Sequence, residues 1–279
     1  MNQGKTMTLS GSAAYFDQVA EQYLSSYHAR SPAGYALRVR LQRVLELMDQ
    51  PRGKVLDVGC GPGILARELL NSGYDVWGVD ASPSMIEQCR KQFEKNNRAH
   101  FTTGDAKSLP FPEEFFDTVI CMGVIGSVTA GESALKEMAR IVKKNGTLLI
   151  SFPNLLSPYA AWKNFVFYPA LAMVRPIYYR LAGRSQPPSL YGLGWRRPLR
   201  SLPLFFPGFQ TARTVVEVMT KYGAEVTDIV YFNFNVFLSP LDELFPRWTL
   251  KVIKRLEQLR FGKLKWLGAG FILKAKRRS

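Results

Sequence analysis

The 279-residue chain is 47% hydrophobic and 13% aromatic with no internal repeat, which describes a globular protein able to bury a large core. Its cysteines, Cys60, Cys89 and Cys121, lack CxxC or Cys/His spacing, which argues against a disulfide framework and a zinc site; with no signal-peptide pattern, a reducing cytoplasmic setting is expected. The net charge of +15 is uneven: residues 1–153 hold 17 Lys/Arg against 16 Asp/Glu, residues 154–279 hold 20 against 6, so the second half carries +14.

In chain order, Ala14–Tyr23 begins a helical pattern with Phe16, Val19 and Tyr23 at i, i+3 and i+7. A second helix, Tyr35–Met48, carries Leu37, Leu41, Val44, Leu45 and Met48 on one stripe, with Arg38, Arg40 and Arg43 off it; Pro51-Arg52-Gly53 stops it. Val55-Leu56-Asp57-Val58 then reads as a buried strand ending beside an acid, Gly59-Cys60-Gly61-Pro62-Gly63 as a tight turn, and Ile64–Leu70 as a helix. Glycines in that turn remove the side chains that would keep a ligand off the backbone. A P-loop would need Gly-Lys-Ser/Thr, where this chain has Gly63-Ile64-Leu65; a dinucleotide loop would need glycine where Ile64 stands.

Tyr74–Asp80 is a second strand ending in an acid, followed by Ala81-Ser82-Pro83-Ser84-Met85 and a helix Ile86–Asn96. Ala99–Thr103 leads to Gly104-Asp105-Ala106, and Phe116–Met122 is a fourth strand. A helix Ala134–Val142 and the turn Lys143-Lys144-Asn145-Gly146 lead to a fifth strand, Thr147–Phe152.

Residues 55–63, and these parts following in order, resemble the class I S-adenosylmethionine (SAM) methyltransferases of the ubiquinone/menaquinone type, over roughly residues 12–153. The resemblance implies an α/β, Rossmann-like, seven-stranded and mostly parallel sheet with SAM as cofactor. Gly59, Cys60, Gly61 and Gly63 would bring backbone to the amino-acid end, and Asp57 would orient loop amides or the ammonium group. Asp80, with Ala81 and Ser82 beside it, suits the two ribose hydroxyls, because a carboxylate accepts two hydrogen bonds at once. Asp105, between Gly104 and Ala106, is placed for the adenine amino group, while Met85, Cys121, Met122 and Gly123 would line the adenine and the floor. In that family the N-terminal helix folds over the cofactor, so Tyr23 either touches it or simply packs.

Methyl transfer needs a general base only if the nucleophile arrives protonated. His28 and Tyr23 are candidates, His100 reads as a strand-end histidine, and Gly123–Val128 stands where many relatives carry a histidine. The Asn-Pro-Pro-Tyr motif of amino-group DNA methyltransferases is missing. No catalytic residue and no metal site is therefore assigned.

One domain, 1–279, is expected. It comprises a helical lid over 1–50, a SAM-binding core over 51–153, a basic aromatic insertion over 154–210, and a C-terminal part over 211–279. That last part holds a helix Thr211–Tyr222 stopped by Gly223, a strand Glu225–Phe232, a basic helix Trp248–Arg260 inside a substrate-side insertion over 240–263, and a closing strand Gly268–Lys276. The apolar run Phe165–Val174 is too short to cross a bilayer, which takes ~20 residues. Aromatic blocks flanked by Lys and Arg suit an anionic membrane surface and a small apolar or lipid-like, quinone-like or aromatic acceptor. A plain substrate cap, nucleic acid binding, and a non-catalytic SAM-binding protein are the alternatives.

Overall fold

The computed structural model describes residues 20–49, 52–125, 131–154, 156–167, 170, 173–174, 180, 211–234, 244–258 and 265–279. Phe16, Val19, the 126–130 stretch, most of 168–210, and the 235–243 and 259–264 segments lie outside the described residues.

Seven strands form one sheet: β1 (Lys54–Val58), β2 (Asp75–Asp80), β3 (Ala99–Thr103), β4 (Phe116–Met122), β5 (Val142–Pro153), β6 (Ala224–Phe232) and β7 (Gly270–Arg277). Their order is β3-β2-β1-β4-β5-β7-β6; β1 to β5 are parallel, and β7 runs antiparallel between β5 and β6. The expected mostly parallel sheet is therefore present. The chain moves outward from β1 to β3, then returns to the other side of β1 as β4. That reversal opens a crevice at the carboxyl ends of β1 and β4, where ligands of such sheets bind.

The helices are α1 (Ala20–His28), α2 (Pro32–Glu46), α3 (Ile64–Asn71), α4 (Pro83–Gln92), α5 (Gly131–Ile141), α6 (Pro158–Trp162), α7 (Ala212–Lys221) and α8 (Pro246–Gln258). Side chains alternate along each strand and feed two cores. Leu56, Val58, Val119, Leu148, Ile150 and Leu273 pack beneath α5 and α7. Val55, Ile120, Leu149 and Ile272 face Val39 and Val44 of α2 and Leu65, Ala66 and Leu69 of α3. Asp57, two residues after Val55, shares this second face, so the strand period alone aims its carboxylate toward α2.

Several boundaries differ from the sequence reading for local reasons. α2 starts at Pro32 because Ser31 caps it, its side chain accepting from the Gly34 amide at 3.1 Å, with proline in the first turn where its missing N–H costs nothing. α4 likewise starts at Pro83 behind the Ser82 cap, and it ends at Gln92 instead of Asn96. The Lys143–Gly146 turn lies inside β5: Phe116 pairs with Val142 but Thr118 with Thr147, so 143–146 bulge out, with Asn145 at φ 59. The closing strand runs two residues later at its start and one later at its end than read from the sequence.

The first insertion leaves the sheet at its carboxyl edge, and the second leaves and rejoins it there. Gly270 pairs with Pro153 at the end of β5 and with Phe232 at the end of β6. Buried Asn154 fastens the two roots together, donating from Nδ2 to the carbonyls of Trp266 (2.7 Å) and Gly268 (2.8 Å).

At the opposite edge, Asp49 ties the end of the N-terminal helices to the antiparallel strands. It is paired with Lys274 and, at 2.6 Å, with Lys276, and it accepts from Thr147 Oγ1 at 3.1 Å. Burial raises the Asp49 carboxyl, but the hydrogen bonds from both lysines and Thr147 outweigh it and bring the group down to about 2. A depressed carboxyl contributes stability above its unfolded value of ~3.9, and that contribution is lost as pH falls through the folded value. Solvent at this exposed site screens the pair, which limits the effect to about 1 kcal/mol. Asp49→Asn is therefore expected to lower stability by about that amount near neutral pH. In urea titrations the difference from wild type should vanish as pH falls from about 4 toward 2. An equal loss at both ends of that range would show that charge is not the cause.

Candidate active site

The turn after β1 is held by β2. The Gly59 and Cys60 amides both donate to the Val79 carbonyl (2.6 and 3.1 Å). Asp80 accepts from the Gly61 amide on Oδ2 and from the Ser82 amide on Oδ1, both at 2.9 Å. One carboxylate thus fixes the glycine turn and, across Ala81, the start of α4. A carboxylate offers about four acceptor positions, so one group can hold both amides at once. Gly61 has φ +52, and among the described residues a side chain there would meet the Tyr23 ring, 3.7 Å away. Gly63, at φ +80, starts α3, and a Cβ there would strike Phe93 at 2.8 Å and Cys89 at 3.0 Å.

Asp57 is 1% exposed, and its Oδ1 has no hydrogen-bond partner among the described residues. Burial first, then the neighbouring Asp80, pushes its carboxyl up to about 7, with Arg40 pulling the other way. Arg40 reaches from α2 to the carboxyl edge: its Nη1 lies 2.3 Å from where a Gly123 side chain would begin, and its Nη2 donates to the Tyr27 hydroxyl at 3.4 Å. Tyr27 is buried, and burial followed by the presence of Tyr23 drives its hydroxyl pKa upward. Tyr23 meets Tyr27 edge-on, with ring centroids 5.8 Å apart. The first two helices therefore lay two tyrosines and an arginine over the glycine turn.

Arg40 is the residue that sequence reasoning missed. Off the apolar stripe it reads as a surface cation, yet α2 turns all three of its arginines inward. Arg38 donates to the carbonyls of Tyr27 and Ala29, and Arg43 pairs with Glu257 at 3.3 Å. A signal was present: neither Arg38 nor Arg40 has an acid three or four residues away, so neither has a helical partner on the surface.

The remaining candidates divide by placement. The Cys60 side chain turns away from the crevice to pack with Ile86 and Cys89, leaving only its backbone on the turn. The Cys89 thiol donates to the Gly61 carbonyl at 3.2 Å. Met85 is buried, its amide capped by Ser82 Oγ at 3.2 Å. The Gly104 amide donates to the Asp80 carbonyl at 3.0 Å, which sets the third loop beside the second. Asp105 accepts from the Lys107 amide at 2.9 Å and pairs with its ammonium at 3.3 Å, and Ala106 packs into the core. Cys121 is buried, its thiol pushed up to about 12 by burial and by Asp57. Met122 is half-buried, and the Gly123 amide donates to Ser151 Oγ at 2.9 Å. His28 is exposed at the end of α1, and His100, also exposed, stacks on Trp77 at 4.6 Å. Among the described residues no cluster of His, Cys, Asp or Glu could hold a metal ion.

Residues 56–150, the span that builds this crevice, match the family described as "Methyltransferase domain". The match is confined to this stretch, about a third of the chain. The chain is 36% identical over 101 residues to a phosphatidylethanolamine N-methyltransferase of Cereibacter sphaeroides, covering 35% of this chain and 49% of that protein. It is 28% identical over 142 residues to a ubiquinone biosynthesis O-methyltransferase of Coxiella burnetii, covering 50% and 61%. Against a ubiquinone/menaquinone biosynthesis C-methyltransferase of Chromobacterium violaceum it is 30% identical over 126 residues, covering 43% and 52%. The chain thus spans about half to three fifths of the length of these relatives. Its fold is shared with a solved SAM-dependent methyltransferase of Thermotoga maritima, described as a possible histamine N-methyltransferase. The TM-score is 0.58 at 19% identity, over 95% of this chain and 99% of that one.

The family implies SAM, and the residues present fit it. An open carboxylate oxygen on buried Asp57 suits an ammonium group, the turn at Gly61 exposes bare backbone, and the Asp80 carboxylate stands beside that turn at the end of β2.

Proposed function

We propose that this protein is a methyltransferase that transfers a methyl group from SAM to a small apolar or lipid-like acceptor, quinone-like or aromatic, at oxygen or carbon, met at a membrane surface. The observation that carries the acceptor class is topological: both insertions emerge at the same sheet edge as the glycine turn, and they carry exposed apolar side chains there. Leu156, Phe165, Val166, Trp248 and Trp266 are all exposed, although side chains of this size normally bury. None of the described helices is long and apolar enough to cross a membrane, so contact would be peripheral. The names of the relatives, which pair methyl transfer with ubiquinone or a phospholipid, support the same class.

SAM supplies a methyl carbon already activated by its sulfonium, so the protein has mainly to position and to exclude water. Here Asp80 holds the turn and would receive the ribose hydroxyls, Asp57 offers its open oxygen to the ammonium group, and Tyr23, Tyr27 and Arg40 close the crevice from above. Asp105, Met85, Cys121, Met122 and Gly123 would bound the adenine side, as the family resemblance implies.

The test is incubation with methyl-labelled SAM and an organic extract of membranes. Label is expected in an organic-phase compound heavier by one methyl substitution. Label recovered only in RNA would sink the acceptor class. Tight SAM binding with no transfer to any extract would instead indicate a SAM-binding subunit without catalysis.

A further inference from the structure

We infer that α8 is the docking element of this domain for an anionic phospholipid bilayer, presented by a buried acid that fixes the helix's rotation; the inference rests on the membrane-surface reading above. The inward stripe of α8 is Thr249, Ile253 and Glu257, four residues apart and all buried. Glu257 Oε1 accepts from the amides of Asn233 (2.5 Å) and Phe234 (3.2 Å), just beyond β6, while Oε2 pairs with Arg43 of α2 at 3.3 Å. These bonds lock the end of α8 to the carboxyl edge of the sheet. With the stripe fixed, the helical period turns Arg247, Trp248, Lys251, Lys254 and Arg255 outward, and all five are exposed.

Two properties of that outward face point to a bilayer. The only acid in α8 is the inward Glu257, so four cations face outward, and none of them pairs with an acid among the described residues. Beside them stand three large apolar side chains in open solvent: Leu244 is 65% exposed, Phe245 55% and Trp248 68%. Cations suit the negative surface potential of anionic lipid, while aromatic and aliphatic side chains suit the headgroup boundary. A phosphate track on nucleic acid would satisfy the cations but leave Leu244 and Phe245 exposed. The bilayer satisfies both sets together.

The experiment is sedimentation of the full chain with vesicles of phosphatidylcholine alone and with about one quarter phosphatidylglycerol, over a salt series. Wild type is expected to bind the anionic vesicles only. Lys251→Gln/Arg255→Gln should lower the partition coefficient about 30-fold at low salt, the combined share of two cations. Phe245→Ser/Trp248→Ser should keep low-salt binding and lose the fraction that survives high salt. Unchanged thermal melts and SAM affinity would establish that both variants are folded. Wild-type binding with both variants indistinguishable from it would overturn α8 as the docking element while leaving the membrane-surface reading standing. No vesicle binding by wild type would overturn both. Displacement of the vesicles by equimolar RNA, lost in the Lys251/Arg255 variant, would reassign the face to nucleic acid.

Discussion

Gly61→Val is expected to leave the sheet intact and lower SAM affinity at least about 100-fold. The position has φ +52, where a β-branched residue is strained by roughly 1–2 kcal/mol or more. The added carbons would occupy the space between the turn and Tyr23, which is 3.7 Å from the first of them. Relieving that contact means rotating the turn, which pulls the Gly61 amide from Asp80 Oδ2. The core below is unaffected, since Val55, Leu56 and Val58 pack through their own strand faces. Calorimetric titration with SAM, alongside circular dichroism, reads both parts of the expectation. A folded variant that binds SAM as wild type does would remove the glycine turn from the site.

Asp80→Ala is expected to cost about 2–4 kcal/mol of SAM affinity, more than one hydrogen bond to a charged group. The carboxylate has two tasks. It would receive the ribose hydroxyls, and it already holds the amides of Gly61 and Ser82 at 2.9 Å each. Alanine leaves both amides without that acceptor and releases the turn from α4. Asp80→Asn keeps one acceptor oxygen and should recover part of the loss, with the thermal melt moving in the same order. If alanine and asparagine weaken binding equally, loop anchoring is not part of the role of Asp80.

The sheet was legible because its strands are short apolar runs ended by acids and glycines, a pattern that local physics reads directly. Asp57 and Asp80 were legible for the same reason, since a strand-end acid has few places to point. Arg40 was not. Whether an arginine beside an apolar stripe meets water or a strand end depends on how the helix is rotated against the sheet. That rotation is set by contacts such as Val39 and Val44 with Val55 and Leu149, which are distant in sequence. The direction of the Cys60 side chain was not legible either, because it follows the packing of α4. The inward Glu257 stripe of α8 was also hidden, because a helix rich in Lys and Arg reads as solvated on every side.

The antiparallel placement of β7 sets the order in which the sheet can be completed. β6 is made earlier, yet its described neighbour in the sheet is β7, and β7 alone joins it to β5. The β1–β5 half can assemble as those residues leave the ribosome, through pairings that mostly link consecutive segments. β6 must wait, unpaired at its edges, until residues 270–277 have been made. Such late pairing across long sequence separations slows folding and leaves strand edges open to other chains in the meantime.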